Sequence, residues 1–284
     1  MLQRGIKVNI ENRVGIYFCL FWIVLWLPAQ GQVSYSKTGF SVPEQFIPQG
    51  TYLPFFSPRR SEEKNNKDYS IKPIEVNAFR MDAFLVTNEN FINFVKANPD
   101  WRRSQVKRVF ADVSYLKHWK SDLKLNTVTD LTRPVTQVSW FSASAYCQSK
   151  GKDLPTTDQW EYVAGDSGRE SKKIKNMILE WYSSPNSNVL PSVRKGYVNG
   201  YGVHNLFGVT WEWTLDFNST LFGSETRNNG TKDENLFCGA GSLGALDASD
   251  YAKFMRYSFR SSLKADYTTE NLGFRCARGA VNEN

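Results

Sequence analysis

The stretch Asn199-Gly-Tyr-Gly-Val-His-Asn-Leu-Phe-Gly-Val-Thr-Trp-Glu-Trp-Thr-Leu-Asp216 constrains the chain more than any other segment. It gathers three glycines, two tryptophans and two acids into eighteen residues. Gly200, Gly202 and Gly208 suit positions that need positive φ or a close backbone approach. Trp211 and Trp213 alternate with Glu212 and Thr214, the period-2 pattern of a half-buried strand. A turn-rich run entering such a strand brings backbone carbonyls, the Asn205 amide and the Glu212 carboxylate together. That oxygen-only set suits a hard cation such as calcium. Composition alone reads the same residues as a glycine-rich turn before a core strand.

Three further blocks share its chain order. Phe84-Leu-Val-Thr-Asn-Glu-Asn-Phe91 and Leu154-Pro-Thr-Thr-Asp-Gln-Trp-Glu-Tyr162 precede it, and Asn271-Leu-Gly-Phe-Arg-Cys-Ala-Arg278 follows. Together the blocks resemble the formylglycine-generating enzyme (sulfatase-modifying factor) family. Its patterns read E-V-T-N-x-x-F, L-P-T-E-A-E-W-E-Y, N-x-x-G-L-x-N-M-x-G-N-x-W-E-W and N-x-G-F-R-x-A-R. The resemblance implies an α+β domain with much irregular structure, of the C-type-lectin-like kind, over residues 45–281. It also implies structural calcium, with Asn205 and Glu212 giving side-chain oxygens and Gly208 and Thr210 giving backbone carbonyls. Val209 stands where the family usually has Asn. A second family calcium site would fall in residues 165–196, where no ligands can be placed. Cys147 and Cys276 match positions that form a disulfide in secreted members. Arg256, Arg260 and Arg275 look like the family's internal arginines, read as buried pairing groups, and Asp216 as a structural carboxylate near the loop.

The family's chemistry, by the same resemblance, is oxidation of a substrate cysteine to formylglycine by oxygen and copper held on two cysteine thiolates, ligands that suit a soft ion. Those cysteines lie between a G-G-S block and the closing block. The corresponding run here, residues 239–260, contains no cysteine. A near-gapless reading places Ala245 and Asp250 at the thiolate positions, so copper is not expected. Cys238 alone cannot reproduce a two-sulfur site and reads as a buried free thiol. A three-His iron site, as in related sulfoxide synthases, is closed by count, because the chain has only His118 and His204. The sequence therefore points to a non-catalytic binding or scaffolding module, a pseudoenzyme with a protein partner in the envelope or exterior. The competing reading is a formylglycine-generating oxidase, or a related oxidoreductase acting on protein substrates through a non-standard site.

Residues 1–31 read as a secretory signal. Arg4, Lys7 and Arg13 form a basic start, residues 14–27 a fourteen-residue apolar run, and Ala29-Gln30-Gly31 a small-residue cleavage site. The run is shorter than the roughly twenty residues of a membrane-spanning helix, with an uncleaved anchor as the alternative. Residues 32–44 read as a leader, and the product as exported: periplasmic, cell-surface or secreted. Cys19 leaves with the signal, so three cysteines remain for an oxidising compartment, in which two are expected to pair. The net charge of +7 is scattered, with no nucleic-acid motif, and is read as solvation. Apart from the possible anchor, no membrane contact is expected.

Along the chain, residues 46–52 read as a strand entered through a Pro-Gly turn, and residues 79–86 as another. Thr87 caps a helix whose apolar face is Phe91, Phe94 and Val95, ending before Pro99. Residues 101–129 interleave bases and aromatics, a weak signal for an anionic ligand. Residues 134–140 read as a strand, followed by a helix capped by Ser139 and ended by Gly151. Thr156 and Gln159 form a capping box before Trp160 and Tyr162. Residues 165–196 read as polar and, by the resemblance, shorter than the matching region of the generating enzymes, and residues 57–67 as a charged loop.

Overall fold

The computed structural model describes residues 42–53, 73–165, 171–184, 189–218 and 248–280. Within them run seven short strands: β1 (Glu44–Ile47), β2 (Gly50–Tyr52), β3 (Ile74–Val76), β4 (Phe79–Asp82), β5 (Trp211–Glu212), β6 (Leu272–Gly273) and β7 (Ala277–Gly279). Five α-helices accompany them: α1 (Asn88–Ala97), α2 (Trp140–Gln148), α3 (Thr157–Ala164), α4 (Ser171–Ser183) and α5 (Ala248–Ser261). The mixture is α+β, and most of the remaining chain is turn and loop.

The beginning and end of the domain share one sheet. β4 lies between β1 and β7, antiparallel to both, with Glu44 opposite Asp82 and Arg80 opposite Arg278. Lys152 clamps that sheet, its Nζ 2.8 Å from Glu44 and 2.5 Å from Asp82, while Arg278 reaches Glu44 at 2.8 Å. β2 pairs with β3 antiparallel, and β5 with β6 parallel. The Cys147–Cys276 disulfide joins α2 to the segment entering β7, closing a sequence separation of 129.

The helices start where local chemistry supplies caps. At α1, Thr87 Oγ1 accepts the Asn90 N–H at 3.2 Å and Asn90 Oδ1 accepts the Thr87 N–H at 3.4 Å, satisfying two otherwise orphaned donors. Phe91, Phe94 and Val95 then face the core. Ser139 caps α2 through the Ser142 N–H at 3.2 Å, and Thr156 and Gln159 form the box that opens α3.

Two large apolar clusters fill the interior. One gathers Phe91, Tyr146, Trp213 and Phe274 around the disulfide. The other gathers Ile47, Phe79, Met81, Trp160, Leu206 and Phe207 between the sheet and α3. The aromatic content read from the sequence is thus spent on pinning loops, each ring covering a large area for little conformational entropy.

Three sequence expectations need correction. Residues 134–140 form no strand, because their backbone serves several segments at once. The Val135 N–H reaches Val86 O, the Gln137 N–H reaches Thr269 O, and Gln137 O accepts the Leu116 N–H. Gln137 itself has φ 53°, which breaks an extended run. Residues 165–196, read as polar, hold an apolar stripe: α4 carries Met177, Ile178, Trp181 and Tyr182 at helical spacing against the second cluster. Trp211 to Thr214 is not half-buried by alternation either, since Glu212, Trp213 and Thr214 are all buried. The charged loop at residues 57–67 lies outside the described residues.

Candidate functional site

The signature stretch folds as a series of locked turns. The Asn199 side chain accepts the N–H groups of Tyr201 and Val203 at 3.0 Å each and donates to Val163 O at 2.9 Å. That geometry makes it a turn-holding residue, the role to which short amides are suited. Gly202 follows with φ 78°, which glycine adopts without a Cβ clash. The Asn205 backbone is also left-handed, at φ 53°, a conformation asparagine tolerates better than most residues.

Asn205 is buried, and its Nδ2 donates to Val193 O at 2.9 Å and Lys195 O at 2.7 Å. Its Oδ1 faces Gly196, where any Cβ would collide with it. Gly208 turns the chain at φ 89°. Thr210 is fully buried, and its Oγ1 has no hydrogen-bond partner. Among the described residues, no N–H is hydrogen-bonded to the carbonyl oxygens of Asn205, Gly208 or Thr210.

Glu212 ends the loop inside the protein. Arg275 meets it in a fully buried pair, with Nε 2.7 Å from Oε2 and Nη2 2.9 Å from Oε1. The remaining Arg275 donors go to the carbonyls of Asp82 and Ala83, at 3.2 and 3.3 Å, and of His204, at 2.8 Å. One guanidinium thus ties the end of β4, the signature loop and β5 together. The pairing role read for Arg275 is what the structure places there.

The donors named for this loop are of the kind a hard cation takes: one carboxylate, one amide oxygen and backbone carbonyls. A carboxylate offers about four lone-pair sites, and Arg275 uses two. By donor type the set suits a calcium ion, but the adjacent Arg275 guanidinium neutralises Glu212 and lowers the attraction. No group of three or more His, Cys, Asp or Glu side chains that could hold a metal occurs among the described residues. Such an ion would rest mainly on carbonyls.

Beyond the loop, Trp213 donates to Val138 O at 2.9 Å, and Asp216 accepts the Thr157 N–H at 2.6 Å. Asp216 thereby sits at the start of α3, where the helix dipole favours a carboxylate. Its structural reading agrees with this place.

Of the copper positions, Ala245 lies outside the described residues, as does Cys238. Asp250 lies on α5. Cys147 and Cys276 are bonded to each other, so of the chain's four cysteines only Cys19 and Cys238 are not in that bridge. The two histidines lie in different surroundings. His118 Nδ1 lies 2.6 Å from Gln137 Oε1, and His204 packs on Phe84 with centroids 4.4 Å apart.

Sequence reading named Arg256 and Arg260 as buried pairing groups but missed their shared partner, Glu161. Glu161 on α3 accepts Arg256 Nε–H at 3.1 Å, Arg256 Nη2–H at 2.8 Å and Arg260 Nη1–H at 2.6 Å. Burial alone would push its carboxyl up, but the Arg256 and Arg260 guanidiniums reverse that and hold it down at about 2. Arg256 and Arg260 are four residues apart on one face of α5, a spacing that could have signalled a shared partner. Near them, Tyr182 stacks on Trp211 at 5.5 Å and Trp211 on Phe259 at 4.4 Å.

Comparison with known proteins places this geometry. The chain is 26% identical to the inactive C-alpha-formylglycine-generating enzyme 2 of Bos taurus over 257 residues, covering 74% of this chain and 80% of that protein. It is 29% identical to the formylglycine-generating enzyme of Streptomyces coelicolor over 259 residues, covering 74% and 81%. PvdO from Pseudomonas aeruginosa superposes with a TM-score of 0.47 at 15% identity, over 84% of this chain and 94% of that one. The sequence model of the sulfatase-modifying factor enzyme 1-like domain matches residues 44–280, spanning all four blocks and the loop just described. By that match, the chain belongs to the sulfatase-modifying factor family.

Proposed function

We propose that this protein is an exported member of the family that has given up copper chemistry and works as a binding or scaffolding module outside the cytoplasm. The observation that carries this reading is the cysteine inventory. Copper in this family needs two thiolates. The disulfide removes Cys147 and Cys276 from the available set, and Cys19 belongs to the proposed signal. Cys238 then stands alone, with no second sulfur to complete a site. The similarity to a relative whose name marks it as inactive agrees with this, and the similarity to formylglycine-generating enzymes bears on the fold alone, because fold and chemistry are separable.

In this reading the Asn205–Glu212 loop holds structural calcium through Asn205, Gly208, Thr210 and Glu212. The ion would supply rigidity to the loop and no reactive group. Arg275 holds Glu212 in place whether or not the ion is bound.

A Cu(I) titration of the mature, oxidised protein against a chromogenic chelator tests the central point. Retention of all copper by the chelator is expected. Stoichiometric capture of one Cu(I) by the protein, lost in Cys238→Ser, would overturn the proposal.

A further inference from the structure

Helices α3, α4 and α5 bring together a charge count that does not close. Among the described residues Glu161 is the one carboxylate paired with the two guanidiniums, and all three groups are buried. Among the described residues Arg256 and Arg260 are both ion-paired to the same carboxylate, that of Glu161. The Tyr182 hydroxyl lies beside Arg256, but burial pushes its ionisation up to about 12, so it adds no negative charge. Two donors in the same cluster also lack acceptors: Arg256 Nη1 and Trp160 Nε1, both buried. The guanidinium carbons of Arg260 and Arg256 lie 4.7 and 6.0 Å from the centre of the Trp160 ring, so the orphaned donors belong to neighbouring groups.

A buried unpaired N–H is costly, and a buried unbalanced charge more so. A water molecule would satisfy the donors but leave the charge. A small oxyanion does both. We propose that this cluster binds one small free carboxylate, with Arg256 Nη1 and Trp160 Nε1 donating to its two oxygens. The guanidinium supplies charge and a charge-assisted N–H from Nη1, its Nε and Nη2 being taken by Glu161. Trp160 supplies a donor that cannot double as an acceptor, which selects an anion over a cation. Burial of Arg256 restricts the ligand to a small acid. The assignment is independent of whether the domain is catalytic.

The experiment is a thermal-shift titration of the full chain with sodium acetate, with sodium chloride holding the ionic strength constant. The wild type is expected to show a saturable rise in melting temperature. Trp160→Phe keeps an aromatic ring over Arg260 and removes only the indole donor, so its apparent Kd for acetate should be about tenfold weaker. Arg256→Lys should abolish the saturable response, and if that variant fails to fold, Trp160→Phe carries the test. No saturable rise in the wild type, or equal affinity in Trp160→Phe, would overturn the proposal.

Discussion

Replacing Glu161 by Gln keeps the shape of the side chain and removes its charge, which isolates the electrostatic role of the α3–α5 contact. In the wild type that carboxylate takes three N–H bonds of 2.6 to 3.1 Å from two buried arginines. Gln can keep part of this hydrogen bonding, but it leaves two guanidiniums buried without a counter-charge, which typically costs about 3–5 kcal/mol. The titration of Glu161 gives a separate route to the size. Its carboxyl is held at about 2 against an ordinary 4.5, and at about 1.4 kcal/mol per unit this corresponds to roughly 3 kcal/mol. The sign follows from the direction. A depressed carboxyl stabilises the fold above about pH 4.5, and that contribution fades as pH falls towards about 2. Urea unfolding of the oxidised protein in acetate-free buffer should show Glu161→Gln about 3–5 kcal/mol less stable at pH 7. The gap to wild type should shrink steadily below pH 4.5, because protonation of Glu161 produces the same neutral group. A loss under about 1 kcal/mol at pH 7, or a gap that does not change with pH, would refute the reasoning.

The remaining expectations are simpler. Removing the Cys147–Cys276 bridge, by reduction or by the double Ala variant, should cost about 5 kcal/mol in the chain-entropy picture for a separation of 129 residues, read from the urea midpoint. Gly196→Ala should destabilise by about 2–3 kcal/mol, because Gly196 has φ 111° and a Cβ there meets Asn205 Oδ1; a melt within a degree of wild type would contradict this. Chelation should lower the melting temperature and calcium should restore it. Because Arg275 neutralises Glu212, half-recovery is expected at about 10⁻⁴–10⁻³ M calcium, the weak end of protein sites. An unchanged melt after chelation would remove calcium from the account.

What the sequence made legible was mostly local chemistry. The caps at Thr87, Ser139 and Thr156 depend on residues three apart and were readable without the fold. Gly202 and Gly208 announced left-handed turns and have positive φ, whereas Gly200, read the same way, does not. The Cys147–Cys276 pair and the buried role of the arginines came through resemblance, since nothing local marks a contact spanning 129 residues. The failures share a cause. Residues 134–140 look like a strand by composition, but their hydrogen bonds are set by Val86, Leu116 and Thr269, which no local pattern encodes. The α4 stripe was diluted by the polar residues around it. Trp211 to Thr214 alternate in polarity, yet Arg275 neutralises Glu212 and the Thr157 hydroxyl meets that of Thr214 at 3.0 Å, so both sides can be buried. The Glu161 cluster joins α3 to α5 across 95 residues and was invisible until the helices met.

The most direct test of the central claim is mass spectrometry of a sulfatase-type Cys-x-Pro-x-Arg peptide incubated with the mature protein, Cu(I), a reductant and oxygen. The account predicts that the peptide cysteine is recovered unchanged while the protein stays folded with its disulfide intact. Conversion of that cysteine to formylglycine, abolished by Cys238→Ser, would contradict it and place a working copper centre in this chain.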